Sequence, residues 1–308
     1  MISLFFPSAI WKLKARAALK NNWQTGLLIA LIVNLPSLLV QAVGSFTGYD
    51  LMLRIQNALN EAVSAGSLPD TDGLLKLLQE QLQIPGVQLL SAFNILSWLL
   101  TPCLAMGLLH WCLLRLRSRE AGIATVFSRL SLFLKGIGLR LLITFKVFLW
   151  MLPGAAVSAL AVVPVLTNGS SGFSASSSLL SVSSILMAVL GVMAALRYAL
   201  ADIVMADVPE TGVFEAVRRS KELMRGRKGI LFAMYFSFIG WYFLEMLISS
   251  FALSMFGSVP ALMVQMLCSL ALSLYLQTTL CAYFMDCSQA TDEIASRINE
   301  DDGSGFVQ

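Results

Sequence analysis

Four charged residues lie in or beside long apolar stretches, where an ionised side chain costs free energy and is usually paired or functional. These ion-pair or cavity candidates are Arg197, Asp202, Glu245 and Asp286. Arg197 and Asp202 are about 140° apart on a helix, so each needs a partner from another segment. Glu245 lies about 24 Å beyond Lys228 at the rise of a helix. It is therefore the candidate for lining a polar cavity.

These residues do not form a recognisable catalytic set. Asp202 and Asp207 could suggest an aspartyl protease, but they come from one segment, and such a dyad needs two facing elements. The sequence contains no serine-hydrolase, zinc-protease, P-loop or dinucleotide-binding motif. Its single histidine, His110, excludes a histidine-based metal cluster, and its five cysteines are scattered. We expect no enzymatic activity, no cofactor and no metal site.

Six basic residues form the densest charge cluster, and they could bind a lipid headgroup or another phosphate-bearing ligand. They lie between two apolar stretches, and they are Arg218, Arg219, Lys221, Arg225, Arg227 and Lys228. Basic residues at this place would also be expected if they only fixed the orientation of the chain in a membrane. Both interpretations stay open.

The segment 206–228, which carries this cluster, is predicted to form an amphipathic helix on the cytoplasmic surface. Pro209 favours a helix start, because it has no N–H group to leave unpaired, and Gly226 favours the helix end. The apolar face would combine Val213, Val217, Ser220 and Met224. Side chains four residues apart would pair, namely Glu215 with Arg219 and Arg218 with Glu222.

The elements that must position these residues are membrane helices. The chain of 308 residues is 57% hydrophobic and 13% charged, whereas a soluble domain has about 25% charged residues. Its net charge of +3 is too small to indicate nucleic-acid binding. Six apolar stretches approach the ~20 residues that a span needs, at about 23–48, 88–114, 147–167, 178–205, 229–256 and 259–286.

The distribution of basic residues predicts the orientation. Of the 21 Lys and Arg residues, only Arg54 and Lys76 lie on one side of the predicted spans, and Arg197 lies within a span. The positive-inside rule places the other side, with both termini, in the cytoplasm. We predict an all-α, polytopic bundle of about six membrane helices, N-in and C-in, as a single integral membrane domain (1–308). Small residues would allow close helix contacts, at Gly26, Ala30, Gly107, Gly191, Ala194, Ala195 and Gly240.

Segments outside the spans are also patterned. Residues 1–22 favour a cytoplasmic interfacial helix, because basic residues recur at four-residue steps, at Lys12, Arg16 and Lys20. Residues 49–87 favour an extracytoplasmic hairpin of two amphipathic helices, and 288–308 a cytoplasmic tail. Four basic residues in 129–146 fall on one arc, which favours an interfacial helix or a plain positive flank. Whether 129–167 is one long span or such a helix plus a broken span stays open.

Residues around the basic cluster carry a family resemblance. They are Ala201-Asp202, Asp207-Val208-Pro209, Glu215-Ala216-Val217, Arg219 to Met224, Gly226, Lys228, Leu231-Phe232 and Ser237 to Trp241, with further matches at Ala15-Arg16, Asn22-Trp23 and Pro153-Gly154. In these residues the chain resembles domain-of-unknown-function family 975, a family of uncharacterised bacterial integral membrane proteins. The resemblance implies a multi-pass protein of the bacterial cytoplasmic membrane, and it implies no activity.

Two functions are compatible with these features. The first is a non-enzymatic membrane module that binds membrane lipids, another membrane protein or a second copy through its basic helix. The second is a transporter of a small or amphipathic substrate, with Glu245 in its cavity and spans broken by proline at Pro36, Pro102, Pro153 and Pro164. We favour the first, because the most distinctive residues cluster at the membrane interface.

Overall fold

The chain is built from α-helices in a computed structural model, which describes residues 8–64, 85–168 and 173–304. The helices, in chain order, are α1 (Ser8–Leu19), α2 (Trp23–Ser64), α3 (Pro85–Leu116), a 3-10 helix (Ile123–Leu132), α4 (Phe133–Asn168), α5 (Phe173–Tyr198), α6 (Ala201–Asp207), α7 (Val213–Leu223), α8 (Lys228–Phe256) and α9 (Ser258–Ser304). No strand occurs in these described ranges. The all-α bundle predicted from the sequence is confirmed.

Six segments of the described chain are long and apolar enough to cross a membrane. They are Trp23–Val40, Gln88–Leu116, Ile123–Leu160, Ser178–Asp207, Lys228–Phe256 and Val259–Thr291. Each overlaps one of the six spans predicted from the sequence. The chain is therefore a multi-pass membrane protein, with six candidate spans among its described residues.

The sequence analysis predicted that proline would break the spans, but the one interruption described within a span lies elsewhere. Helix α2 continues through Pro36 and α3 through Pro102, and α4 is one continuous helix from Phe133 to Asn168. Membrane helices tolerate proline because neighbouring helices and side chains satisfy the freed backbone groups. The fourth span is instead interrupted between α5 and α6, at Ala199 and Leu200, where the sequence has no proline.

Buried side chains concentrate at one end of the bundle, which carries α1, α7 and the connection between α3 and α4. We call this the basic end. Four large side chains that are almost fully buried there come from different elements, namely Leu19, Trp111, Met224 and Tyr283. Toward the other end, side chains such as Phe251 on α8 are exposed. Exposed apolar side chains on a membrane span contact lipid, so packing at the basic end holds the helices together.

The basic arc of 129–146 turns toward the bundle, which corrects the expectation of an interfacial helix. Three of its four members contact other elements, namely Arg129 with His110 (3.1 Å), Lys135 with the carbonyl of Pro209 (2.9 Å) and Arg140 with Asp202 (4.0 Å). The opposite side of α4 is apolar and open, with Leu134 79% and Phe145 60% exposed. Because hydrocarbon accepts the apolar side, the basic side chains find their partners inside the bundle.

Two further predicted segments are only partly described. Residues 49–64 are helical, but they extend α2 rather than form a separate helix. The rest of the predicted hairpin, 65–84, lies outside the described residues, so the hairpin stays a prediction. The predicted tail begins within α9, which continues to Ser304.

Candidate anion-binding site

Helix α7 holds most of the basic cluster on the exposed side of a short amphipathic helix. Its buried face consists of Ala216, Val217, Ser220 and Leu223, which includes two of the four residues of the predicted apolar face. Of the other two, Met224 is buried just after the helix and Val213 is only partly buried. The helix begins at Val213 rather than at Pro209, which corrects the predicted start. Before it the chain makes a turn, in which the Thr211 N–H donates to the carbonyl of Val208 (3.2 Å).

Two hydrogen bonds and a glycine turn fix α7 and the residues after it against the spans. The Ser220 hydroxyl donates to the carbonyl of Arg197 (3.2 Å) at the end of α5, where helix carbonyls lack intrahelical partners. Gly226 has a φ of +75°, a conformation that glycine adopts without steric cost. The Arg227 guanidinium donates to the carbonyl of Cys287 on α9 (3.0 Å). The turn is therefore held between α5 and α9.

The basic side chains meet in a cleft of about 670 Å³, which we call the basic cleft. It is lined by Arg197, Arg218, Lys221, Glu222, Arg225, Gly226 and Lys228. Four of the six residues predicted to bind an anion are in this set. The other two do not line the cleft. Arg227 is hydrogen-bonded to α9, and Arg219 is not among the lining residues. The cleft combines five cationic side chains with one carboxylate.

Only one of these cations has an ion-pair partner in the described chain. Arg218 donates from Nε and Nη2 to the carboxylate of Glu215 (2.9 and 2.7 Å). This hydrogen bond lowers the pKa of Glu215 and raises the pKa of Arg218. The pair is three residues apart instead of the four predicted, and both spacings bring side chains together on a helix. The other cations of the cleft are without a carboxylate within 4.0 Å among the described residues.

Arg197 is the member of the basic cleft that the sequence analysis assigned differently. It was treated as an isolated charge within a span. In the structure its guanidinium carbon lies 5.7 Å from the centre of the Trp150 ring, close enough for a cation–π contact. A signal was present in the sequence, since Arg197 ends one apolar stretch and Lys228 begins the next, at the same membrane border.

The remaining candidates lie at three separate places. Asp202 faces Arg140 in the interior of the bundle. Glu245 lines a separate groove of about 550 Å³ between α8 and α9. Asp286 contacts α1. The structure therefore does not combine these three carboxylates in one site.

Helix α1 is bound to α9 through Asp286. The carboxylate accepts a hydrogen bond from Trp11 Nε1 (2.7 Å) and pairs with the Lys14 ammonium (2.6 Å). Two of the basic residues that predicted an interfacial helix, Lys12 and Arg16, lie over the rings of Phe238 and Tyr275. The same contacts that hold α1 therefore occupy much of its basic side.

Replacing Asp286 by alanine is expected to loosen α1 by about 1–2 kcal/mol, the sum of one hydrogen bond and one half-exposed ion pair. Hydrogen–deuterium exchange of the amides in α1 measures this as faster exchange. Asp286→Asn should be intermediate, because the amide oxygen can still accept from Trp11. Equal exchange rates in the wild type and the alanine variant would contradict the assignment.

In the described part of the chain, no group of three or more His, Cys, Asp or Glu side chains is placed to hold a metal ion. The five cysteines are free thiols, and all except Cys268 are buried. The charges of the basic cleft suit an anion instead, since the cleft offers many cationic donors and one carboxylate.

Comparison with known proteins gives one match. The family model described as "Protein of unknown function (DUF975)" matches residues 8–291. The match includes α1, the six candidate spans and the basic cleft. No curated protein and no solved structure matches the chain.

Proposed function

This chain belongs to the DUF975 family of proteins of unknown function, and we propose that it is a non-enzymatic module of the bacterial cytoplasmic membrane that binds anionic phospholipid headgroups. The binding site is the basic cleft. The observation that carries the proposal is the convergence of five cationic side chains from α5, α7, α8 and the turn between them on one open space. Each basic residue near a membrane surface attracts anionic lipid by about 1 kcal/mol.

The position of the basic cleft suits a headgroup. Lys228 is the first residue of α8, and Arg197 is one residue from the end of α5. Both therefore lie where an apolar helix ends, which is the level of the lipid phosphates. Beyond Lys228, the exposed side chains of Ile230 and Phe232 offer α8 as an apolar surface for the acyl chains.

The side-chain chemistry supports a phosphate group as the ligand. Arg197 and Arg225 present guanidinium groups, which bind phosphate oxygens in pairs. Lys221 and Lys228 add point charges from two further directions. A bound phosphate would compensate cations that have no carboxylate partner among the described residues. This arrangement binds an anion, and the proposal assigns no reaction to it.

Removing two charges from the basic cleft tests this proposal. The protein is placed in nanodiscs with equal amounts of phosphatidylglycerol and phosphatidylcholine, and native mass spectrometry counts the lipids that it retains. We expect the wild type to retain phosphatidylglycerol. Lys221→Gln combined with Arg225→Gln should lower its retention about 30-fold, which corresponds to about 1 kcal/mol for each charge.

A matched variant separates the cleft from the general surface charge. Lys20→Gln combined with Arg219→Gln removes the same charge from the basic end but leaves the lining of the cleft intact. Its lipid retention should equal that of the wild type. Equal losses in both double variants would show that only surface charge matters. A wild-type protein that carries a stoichiometric protein partner and no anionic lipid would also refute the proposal.

A further inference from the structure

A second cavity lies inside the bundle and shares no lining residue with the basic cleft. Its volume is about 340 Å³, and all six spans contribute to its wall. Its charged members are Arg140 and Asp202. Its neutral polar members are Asn34, Thr101, Tyr235, Ser273 and Gln277. We call it the central cavity.

The two charged side chains of the central cavity face each other without a hydrogen bond. Arg140 Nη1 lies 4.0 Å from Asp202 Oδ2, and the side chains are 45% and 34% exposed. Charges inside a membrane bundle normally bind each other or the backbone closely, because desolvating them is costly. Among the described residues neither Arg140 nor Asp202 makes a side-chain hydrogen bond, so both groups keep hydrogen-bonding capacity for a ligand.

Neutral polar groups add further hydrogen-bonding capacity. Thr101 donates its hydroxyl proton to the carbonyl of Ser97 (2.7 Å), and Ser273 donates to that of Leu270 (3.0 Å). The two hydroxyl oxygens can therefore accept hydrogen bonds. Tyr235 and Gln277 have no hydrogen-bond partner among the described residues. Since unsatisfied polar groups inside a membrane are costly, this wall indicates a polar occupant.

The interruption of the fourth span lies at the same cavity. Helix α5 ends at Tyr198 and α6 begins at Ala201, and the flanking residues Ala199 and Asp202 both line the cavity. Arg197, one residue before the end of α5, lies at the level of the lipid phosphates, so this interruption is near the membrane surface. Interrupted helices form the binding sites of many membrane transporters, and here the interruption borders the central cavity.

We propose that the central cavity binds a small zwitterionic solute, whose cationic group contacts Asp202 and whose anionic group contacts Arg140. The wall supplies one charge of each sign, so a zwitterion compensates both. A singly charged ion would compensate only one of the two charges. The volume lies at the lower end of the range for small-molecule sites, so the solute has few heavy atoms.

Binding of simple probes tests this inference. Isothermal titration of the protein in nanodiscs compares the zwitterions glycine, β-alanine and γ-aminobutyrate with butyrate and butylammonium. At least one zwitterion should bind about tenfold or more tightly than either singly charged probe. Asp202→Asn should lower the affinity for that zwitterion about 10- to 100-fold, the effect of one charged hydrogen bond. It should leave the affinity for butyrate unchanged. Arg140→Gln should instead leave butylammonium unchanged.

Glu245→Gln is the matched control, since it makes the same acid-to-amide change in a groove outside the central cavity. It should bind every probe as the wild type does. If Asp202→Asn does not fold, Gln277→Leu changes a neutral lining residue with both charges kept, and it should weaken binding of the same zwitterion. The absence of zwitterion binding, or equal binding of all three charge classes, would overturn the inference.

Discussion

Replacing Gly107 by alanine is expected to lower the free energy of unfolding by about 3 kcal/mol or more, the upper part of the range for overpacked interiors. A Cβ atom at this position of α3 would overlap the carbonyl oxygen of Val126 and would lie 2.9 Å from its Cα. These are backbone atoms of the 3-10 helix, so no side chain can rotate away. Val126 is also fully buried, and the whole 3-10 helix would have to move.

The melting temperature in detergent, followed by tryptophan fluorescence, measures this effect. Gly240→Ala is the matched control, because nothing lies within 4 Å of the added Cβ on α8. There alanine should be neutral or should stabilise the helix by up to about 1 kcal/mol. Similar melting temperatures for Gly107→Ala and the wild type would show that the 3-10 helix does not pack this closely on α3.

The two glycines show which part of the packing could be predicted from the sequence. Both were expected to allow close helix contacts, since small residues in apolar stretches usually do. The contact exists at Gly107 and also at Gly26, whose Cβ would lie 2.8 Å from Leu274, but it is absent at Gly240. Small size permits a close approach, whereas the direction in which a helix faces decides whether one occurs.

The orientation of α4 also depends on which way the helix faces, and the sequence does not specify this. Hydropathy predicted the six spans because length and composition alone decide whether a helix can cross a membrane. Periodicity also predicted that basic residues in 129–146 share one side. Periodicity does not specify which side faces the bundle, since an apolar side is stable against either lipid or protein. The structure turns the basic side inward and places Arg140 beside Asp202.

The candidate sites were predictable to different degrees. The basic cleft was largely predicted, because four of its cations are close together in sequence on one short helix and the turn after it. Arg197 joins them only through the packing of α7 on α5, where Ser220 donates to its carbonyl. The central cavity was not predicted, since its polar residues come from six spans with one or two in each. Such residues look isolated until the helices are assembled.

Replacing Trp111 by alanine is expected to lower the free energy of unfolding by about 3–5 kcal/mol, as for other large buried side chains. Trp111 is fully buried, and its ring lies about 3 Å from where a Cβ on Gly26 of α2 would be. Its Nε1 donates to the carbonyl of Ala121 (3.1 Å), which lies in the connection between α3 and the 3-10 helix. One side chain thus joins α2, α3 and that connection.

The control for this variant lies on the same helix. Trp98 on α3 is 43% exposed, so its ring already contacts the surroundings of the bundle. Trp98→Ala should therefore lower the free energy of unfolding by about 1 kcal/mol or less. Trp111→Phe should keep most of the packing and lose about 1 kcal/mol with the hydrogen bond to Ala121. Equal losses for Trp111→Ala and Trp98→Ala in thermal melts would show that the basic end does not hold the core. A larger loss of stability for Trp111→Ala than for Trp98→Ala would instead show that packing at the basic end supports both the basic cleft and the central cavity. Helix α7 and the interrupted fourth span pack there.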